Sequence, residues 1–271
     1  MLTEAADFRE ECSVLNTLLI NLEDSDWSLP TQFKGWTTND IVGHLHLFDV
    51  AARITLESSE RFREFIGQIM AGREEGRTLA EYTSHWLEGC QGEALRERWY
   101  RYAMDLAEAY AQQEPSHRVA WGGPDMSVRS CISARQMETW SHGQAVFDLK
   151  GVDRVESDRL RNIAVIGVNT FAWSFANRKL PVPAKRPSLH LTSPSGQVWE
   201  WSQGAETSIT GPALDFCQVV TQTRNIADTS LQVIGDDAHQ WMAIAQCFAG
   251  PPVDPPAPGT RFPQGHSSKL P

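Results

Sequence analysis

The stretch GWTTNDIVGHL, residues 35–45, predicts the start of a helix that carries a histidine on its inward face. Thr37 and Asp40 have the spacing of a capping box, in which each side chain accepts a hydrogen bond from the other's backbone N–H. At 100° per residue His44 shares one stripe with four apolar residues: Ile41, Leu45, Phe48 and Ala52. His46 points roughly the other way, toward solvent or a neighbouring element.

A second stretch, ARQMETWSHG at residues 134–143, places two ionisable groups on or beside an apolar stripe. Glu138 and His142 lie four residues apart, which is one helical turn, so both can bind a single ion. A buried carboxylate without a partner is costly, and a divalent metal shared with His44 would remove that cost. Two histidines and one carboxylate leave coordination positions open, as in a catalytic site. The alternative is a set of ordinary hydrogen-bonded core side chains.

The rest of the chain falls into two parts. Apolar periodicity predicts helices over residues 3–23, 38–57, 60–71, 78–113, 130–150 and 157–178. A proline-rich linker at 179–187 precedes short strands and two further helices. We therefore predict a mainly α fold with a smaller α+β domain. The predicted domains are a helical domain over 1–180, a small α+β domain over 188–250 and a Pro/Gly-rich tail over 251–271.

Composition excludes several classes of protein. The chain has 24 Lys and Arg against 34 Asp and Glu, a net charge of −10, so a nucleic-acid partner is not expected. No segment approaches the ~20 apolar residues of a membrane helix, and the acidic N-terminus is unlike a signal peptide, so we expect a cytoplasmic protein without a membrane partner. Five cysteines without a CxxC pair indicate reduced thiols. Ten tryptophans favour an aromatic-lined interior or cleft.

The two quoted stretches resemble the DinB-like, mycothiol-dependent maleylpyruvate isomerase family of actinobacteria. Two further segments share the resemblance, FANR at 175–178 and QCFAGPP at 246–252. It implies an N-terminal DinB-like four-helix bundle that holds a divalent metal. The implied ligands are His44, Glu138 and His142, the same residues that the helix stripes select. Zinc suits the site because it has no redox chemistry and binds sulfur well.

The resemblance also implies chemistry. The metal would activate a small thiol, mycothiol or a relative of it, as a metal thiolate. The implied reactions are S-transfer, thiol exchange or thiol-assisted isomerisation of a small electrophilic metabolite, including steps of lincosamide-type antibiotic biosynthesis. Arg224 resembles a family arginine that reaches the active site, and Arg178 is a second candidate for anion handling. Trp36 and Trp140 are candidate contacts of the thiol, with core packing as the alternative role.

One position departs from the family pattern. Family members often carry an aspartate three residues after the second metal histidine, where this chain has Ala145. The change weakens the expectation of isomerase activity more than that of thiol transfer. Three alternatives stay open: a non-catalytic binding module for a metal or small molecule, a maleylpyruvate-type cis-trans isomerase, and a non-haem iron oxygenase. The helical context argues against the oxygenase, and the oligomeric state can be monomer or homodimer.

Overall fold

A computed structural model describes residues 2–123, 125–201 and 206–262. The chain divides into two compact units, Met1–Leu149 and Lys150–Pro271. The predicted domain boundary near residue 180 lies inside the second unit, because a helix of the segment 157–178 packs there on a later helix. In the part of the chain that the structure describes, no helix is both long enough and apolar enough to cross a membrane.

The first unit is helical apart from one short hairpin. Its helices are α1 (Thr3–Leu19), α2 (Thr38–Glu57), α3 (Ser59–Glu74), α4 (Leu79–Trp86), α5 (Gly92–Ala111) and α6 (Val128–Lys150). Strands β1 (Arg118–Val119) and β2 (Met126–Ser127) pair antiparallel between α5 and α6. Four helices share one core, to which α1 contributes Phe8, α2 Leu45, α5 Trp99 and α6 Ile132. These four form the bundle on which the site is built.

The start of α2 forms as its sequence predicts. Thr37 accepts a hydrogen bond from the backbone N–H of Asp40, and Asp40 accepts one from the backbone N–H of Thr37, so the capping box is confirmed. Each bond satisfies an amide that the first helical turn leaves without a partner. The cap determines where the helix begins and therefore which residues face inward.

The predicted single helix over 78–113 is wrong, because the chain forms α4 and α5 with a break between them. Glu88, Gly89 and Gly92 have φ of 53°, 80° and 62°, in the left-handed region. A right-handed helix cannot pass through such residues. Two nearby glycines supply the freedom, and apolar periodicity alone does not report it.

Two glycines of α3 provide a test of how closely α3 packs on α4. A Cβ on Gly72 would lie 2.5 Å from Cδ2 of Tyr82, whereas a Cβ on Gly67 would meet nothing within 4 Å. We expect Gly72→Ala to lower the free energy of unfolding by about 1–2 kcal/mol through overpacking. Gly67→Ala is the matched control and is expected to raise it by up to about 1 kcal/mol through helix propensity. Urea unfolding measures both, and equal effects would contradict the packing argument.

The second unit combines four helices with a four-stranded sheet over its described residues. Its helices are α7 (Leu160–Asn169), α8 (Phe171–Ala176), α9 (Ala213–Val220) and α10 (Asp236–Ile244). Its strands are β3 (Ser188–Thr192), β4 (Val198–Trp201), β5 (Ser208–Pro212) and β6 (Gln232–Ile234), in the order β4-β3-β5-β6. Only β3 and β5 pair in parallel. The predicted fold class, mainly α with a smaller α+β part, is confirmed.

Close packing brings α7 into the second unit. A Cβ on Gly167 would lie 2.8 Å from Cγ2 of Val220 and 3.0 Å from Cε1 of Phe216, so the bare glycine lets α7 approach α9. The predicted helix over 157–178 is divided at Thr170, whose hydroxyl donates to the carbonyl oxygen of Ile166. Of the predicted tail, residues 251–262 form neither helix nor strand, and 263–271 lie outside the described residues.

Candidate metal site

Three side chains from two helices of the first unit converge on one point. Nε2 of His44 on α2 and Nε2 of His142 on α6 each lie 3.1 Å from Oε2 of Glu138. One ligand atom from each of the three residues lies within 4.8 Å of the other two. His44 is buried, and Glu138 and His142 are partly buried. The structure therefore brings together the residues that the two helix stripes select.

Aromatic rings surround the two imidazoles. Trp36 stacks on His142 with ring centroids 5.8 Å apart, and lies 5.4 Å from the ring of His44. Phe33 meets His142 edge-on at 4.9 Å, and Phe48 lies 4.8 Å from His44. These rings limit water around the three polar groups, which strengthens any electrostatic interaction there. Trp36, a predicted thiol contact, therefore lies beside the site.

Burial and neighbouring groups set the charges of His44 and Glu138. Burial, with a smaller effect from the nearby His142, lowers the pKa of His44 to about 4. Burial alone would raise the pKa of Glu138, but hydrogen bonds from His142 and His44 outweigh it and hold that pKa well below its usual range. At neutral pH the site thus offers an uncharged imidazole at His44 and an ionised carboxylate. These are the forms that bind a metal.

The spacing fits a small divalent ion. Ligand bonds of about 2.0–2.1 Å in a tetrahedral zinc site place neighbouring ligand atoms roughly 3.3 Å apart. The two 3.1 Å separations between the imidazole nitrogens and Oε2 are close to that value. Nδ1 of His44 and Nδ1 of His142 are buried and have no hydrogen-bond partner among the residues that the structure describes, so these residues alone satisfy neither imidazole. The donor set suits zinc and leaves a coordination position for a further ligand.

Comparison with known proteins places the chain in a family. Residues 8–147 match the family model described as the mycothiol maleylpyruvate isomerase N-terminal domain. The chain belongs to the mycothiol maleylpyruvate isomerase family. Two uncharacterized proteins of Mycobacterium tuberculosis, from strains CDC 1551 / Oshkosh and ATCC 25618 / H37Rv, are each 35% identical over 248 residues. That alignment covers 91% of this chain and 95% of each relative.

Solved structures support the same fold. A mycothiol-dependent maleylpyruvate isomerase and a histidine mutant of it each match with a TM-score of 0.50. Their sequence identities are 16% and 14%, over 80% of this chain and 87% of theirs. The predicted DinB-like bundle of this mycothiol maleylpyruvate isomerase family member is confirmed by that match.

His46 occupies a separate, buried position. Its exposed fraction is 1%, and its ring packs 5.5 Å from Trp86 and 5.3 Å from Tyr102. Of the two predicted surroundings, the neighbouring element is therefore the one observed. Burial lowers the pKa of His46 to about 4, and the positive charge of Arg98 acts in the same direction.

The low pKa of His46 predicts acid sensitivity. Between about pH 6.5 and pH 4 the unfolded chain binds a proton at this residue and the folded protein does not, so stability falls as pH falls through that window. Over this window we expect the free energy of unfolding of His46→Phe to fall by on the order of 2–3 kcal/mol less than that of wild type, since one pKa unit corresponds to 1.36 kcal/mol. Chemical unfolding of the metal-free protein at pH 7 and pH 4.5 measures the effect. A pH dependence equal to that of wild type would contradict it.

The other predicted site residues of this family member are described by the contacts within their own units. Trp140 is fully buried, which leaves no side-chain surface for a thiol. Arg178 pairs with Asp254 at 2.8 Å in the second unit. Arg224 belongs to the same unit and is buried. Its Nη1 donates a hydrogen bond to the carbonyl oxygen of Thr223, and its guanidinium lies over the ring of Phe262. The roles of both arginines in substrate binding stay predictions.

A buried ion pair near the site is not among the features predicted from the sequence. Nε of Arg135 on α6 lies 2.8 Å from Oδ1 of Asp49 on α2, and both side chains are almost completely inaccessible. The sequence contains a signal for it, because both residues fall within a turn of the inward stripes. Periodicity cannot reveal, however, that two charges on separate helices meet.

Proposed function

We propose that the protein is a metal-dependent enzyme that uses a low-molecular-weight thiol, such as mycothiol, to act on a small electrophilic metabolite. The observation that carries the proposal is the convergence of His44, Glu138 and His142, with both imidazole nitrogens 3.1 Å from one carboxylate oxygen. Membership of a family whose model is described by mycothiol and maleylpyruvate isomerase supports the choice of thiol. We also propose that the metal is zinc and that the protein acts in the cytoplasm.

Each residue of the site has a defined task. A divalent cation held by the three side chains would supply the charge that lowers the pKa of a bound thiol from its usual ~8.5. Glu138 contributes the negative ligand, and burial keeps His44 unprotonated so that its lone pair is available. Trp36, Phe33 and Phe48 shield the reacting sulfur from water and present apolar surface to a substrate.

The protein's own cysteines favour an external thiol. Four of the five are buried. Burial raises the pKa of Cys131 to about 11 and that of Cys12 and Cys217 well above the usual value. Such thiols are protonated at neutral pH and do not act as nucleophiles. These three cysteines therefore do not supply the nucleophilic sulfur, which supports a sulfur that comes with a cosubstrate.

Two reaction types are in competition. Mycothiol-dependent isomerisation of maleylpyruvate is the reaction in the names of the structural neighbours, and thiol-assisted cis-trans isomerisation is the corresponding proposal here. S-transfer or thiol exchange, including a role in specialised-metabolite biosynthesis, is favoured by Ala145, which follows His142 by three residues and offers no base. In S-transfer by substitution, the sulfur forms a bond to an electrophilic carbon while the bond from that carbon to its leaving group breaks, and the thiol proton and the leaving group both pass to solvent.

Calorimetric titration of the zinc-loaded protein with mycothiol, glutathione and ergothioneine tests the thiol. We expect saturable binding of mycothiol that disappears in the metal-free protein. Binding that is equal without metal would contradict the proposed site. Turnover of maleylpyruvate with mycothiol would establish isomerisation, whereas a stable thioether formed from an electrophilic test compound would establish S-transfer. Thiol binding without turnover of either kind would favour a non-catalytic binding module.

A further inference from the structure

The buried ion pair of Asp49 and Arg135 joins α2 and α6 at two points. Nε of Arg135 lies 2.8 Å from Oδ1 of Asp49, and Nη2 of Arg135 donates to the carbonyl oxygen of Leu45 at 3.1 Å. The second oxygen of Asp49 accepts a hydrogen bond from the indole Nε1 of Trp99 on α5 at 3.1 Å. One guanidinium therefore holds two positions of α2 that are four residues, about one turn, apart.

The pair lies next to the proposed ligands along both helices. Leu45 directly follows His44 in α2, and Arg135 precedes Glu138 by three residues in α6. Residues three apart on a helix are neighbours on its surface. The pair therefore contacts both helices about one turn from the place where His44 meets Glu138. A shift of α6 along α2 by a single turn, about 5.4 Å, would break the ion pair and would at the same time separate His44 from Glu138.

Stability alone does not explain such a pair. Two charges removed from water lose their hydration, and well-packed apolar side chains of similar volume are often as stabilising or more so. Apolar contacts between helices, however, tolerate alternative registers because they have little direction. Hydrogen bonds from a planar guanidinium do have direction, and they are satisfied in one register only. The role best documented for buried polar or ionic groups is the selection of one structural arrangement among several.

We propose that the Asp49–Arg135 pair fixes the register of α2 against α6 and thereby holds His44 within ligand distance of Glu138 and His142. Arg135 is a positioning residue, since the described contacts connect it to the backbone beside His44 and to Asp49 rather than to a ligand atom. The inference rests on the proposed metal site, although its structural part concerns the metal-free protein as well.

The double variant Asp49→Asn/Arg135→Met tests the proposal. It removes both charges together and keeps an amide oxygen as acceptor for the Trp99 indole, so we expect it to fold. In metal-free protein labelled with ¹⁵N-histidine, we expect loss of the two Nε2–H signals that the hydrogen bonds of His44 and His142 to Glu138 produce in wild type. Zinc affinity, measured by competition with a chromophoric chelator, is expected to fall 10–100-fold, as for other changes that disturb ligand orientation.

Two single variants complete the design. Arg135→Lys keeps the charge but cannot reach Asp49 and Leu45 simultaneously, so we expect it to fold and to lose part of the zinc affinity. Arg96→Met is the matched control, because Nη1 of Arg96 bridges α5 to Asn16 of α1 at 2.7 Å without contacting α2 or α6 in the described contacts. It is expected to leave the imidazole signals and the zinc affinity at their wild-type values.

The outcomes are distinguishable. A folded double variant that keeps both imidazole signals would overturn the positioning role, and so would a double variant that fails to fold, since the pair would then be required for folding itself. Wild-type protein that binds no zinc would contradict the proposed metal site. The imidazole signals would still decide in that case whether the ion pair sets the helix register.

Discussion

Replacing Glu138 by glutamine is expected to lower zinc affinity by about 100-fold or more and to abolish thiol-dependent turnover. Glutamine has nearly the same size, so the fold is kept, but the site loses its negative ligand between the two imidazoles. Oε2 of Glu138 is also the atom that both imidazole nitrogens contact at 3.1 Å. Metal analysis of protein purified without chelator, together with calorimetric titration of zinc, measures the loss.

A surface pair offers a matched control for that variant. His190 on β3 and Glu200 on β4 are also 3.1 Å apart, yet they are half exposed and lie outside the group of three ligands. Glu200→Gln should therefore leave zinc content and affinity unchanged. His44→Ala and His142→Ala should each reproduce the loss seen for Glu138→Gln. Full zinc content in Glu138→Gln would exclude this carboxylate as a ligand.

Removal of Arg135 alone is expected to destabilise the protein by about 3–5 kcal/mol, the cost of leaving one member of a buried ion pair without its partner. In Arg135→Met, Asp49 loses the positive charge that offsets the effect of burial on its pKa. Burial already raises the pKa of Asp49 above its usual value in the wild-type protein, and loss of the arginine raises that pKa further. The folded state holds a proton that the unfolded state has lost, so the destabilisation grows as pH rises above about 4.

Urea unfolding of Arg135→Met at pH 5 and pH 8 tests both parts of this expectation. Adding Asp49→Asn should recover most of the lost stability, since no charge then remains buried without a partner. Arg96→Met serves as comparison, because Arg96 contacts the neutral amide of Asn16 and the exposed carboxylate of Glu93, whose pKa it holds below the usual value. Its destabilisation should therefore be smaller and independent of pH in this range. A destabilisation of Arg135→Met that is equal at both pH values would contradict a charged Asp49.

Local sequence patterns determined the helices and the inward stripes. The Thr37 and Asp40 side chains locate the first turn of α2, which in turn directs His44 inward. The one-turn spacing of Glu138 and His142 depends only on helical geometry. The same patterns wrongly predicted one continuous helix across Glu88, whose backbone is left-handed. Periodicity reports which faces are apolar and not where the backbone changes direction.

The tertiary structure alone decided which partners these side chains meet. Periodicity placed Trp36 near the entrance of a helix, but the packing of that loop stacks its ring on His142, more than one hundred positions along the chain. Trp140 lies in the core instead, and the Asp49–Arg135 pair appears only once α2 and α6 are placed side by side. A sequence thus determines which face each residue occupies, because that depends on neighbours a few positions away. Contacts between helices depend on how whole elements pack, and that is a property of the folded chain.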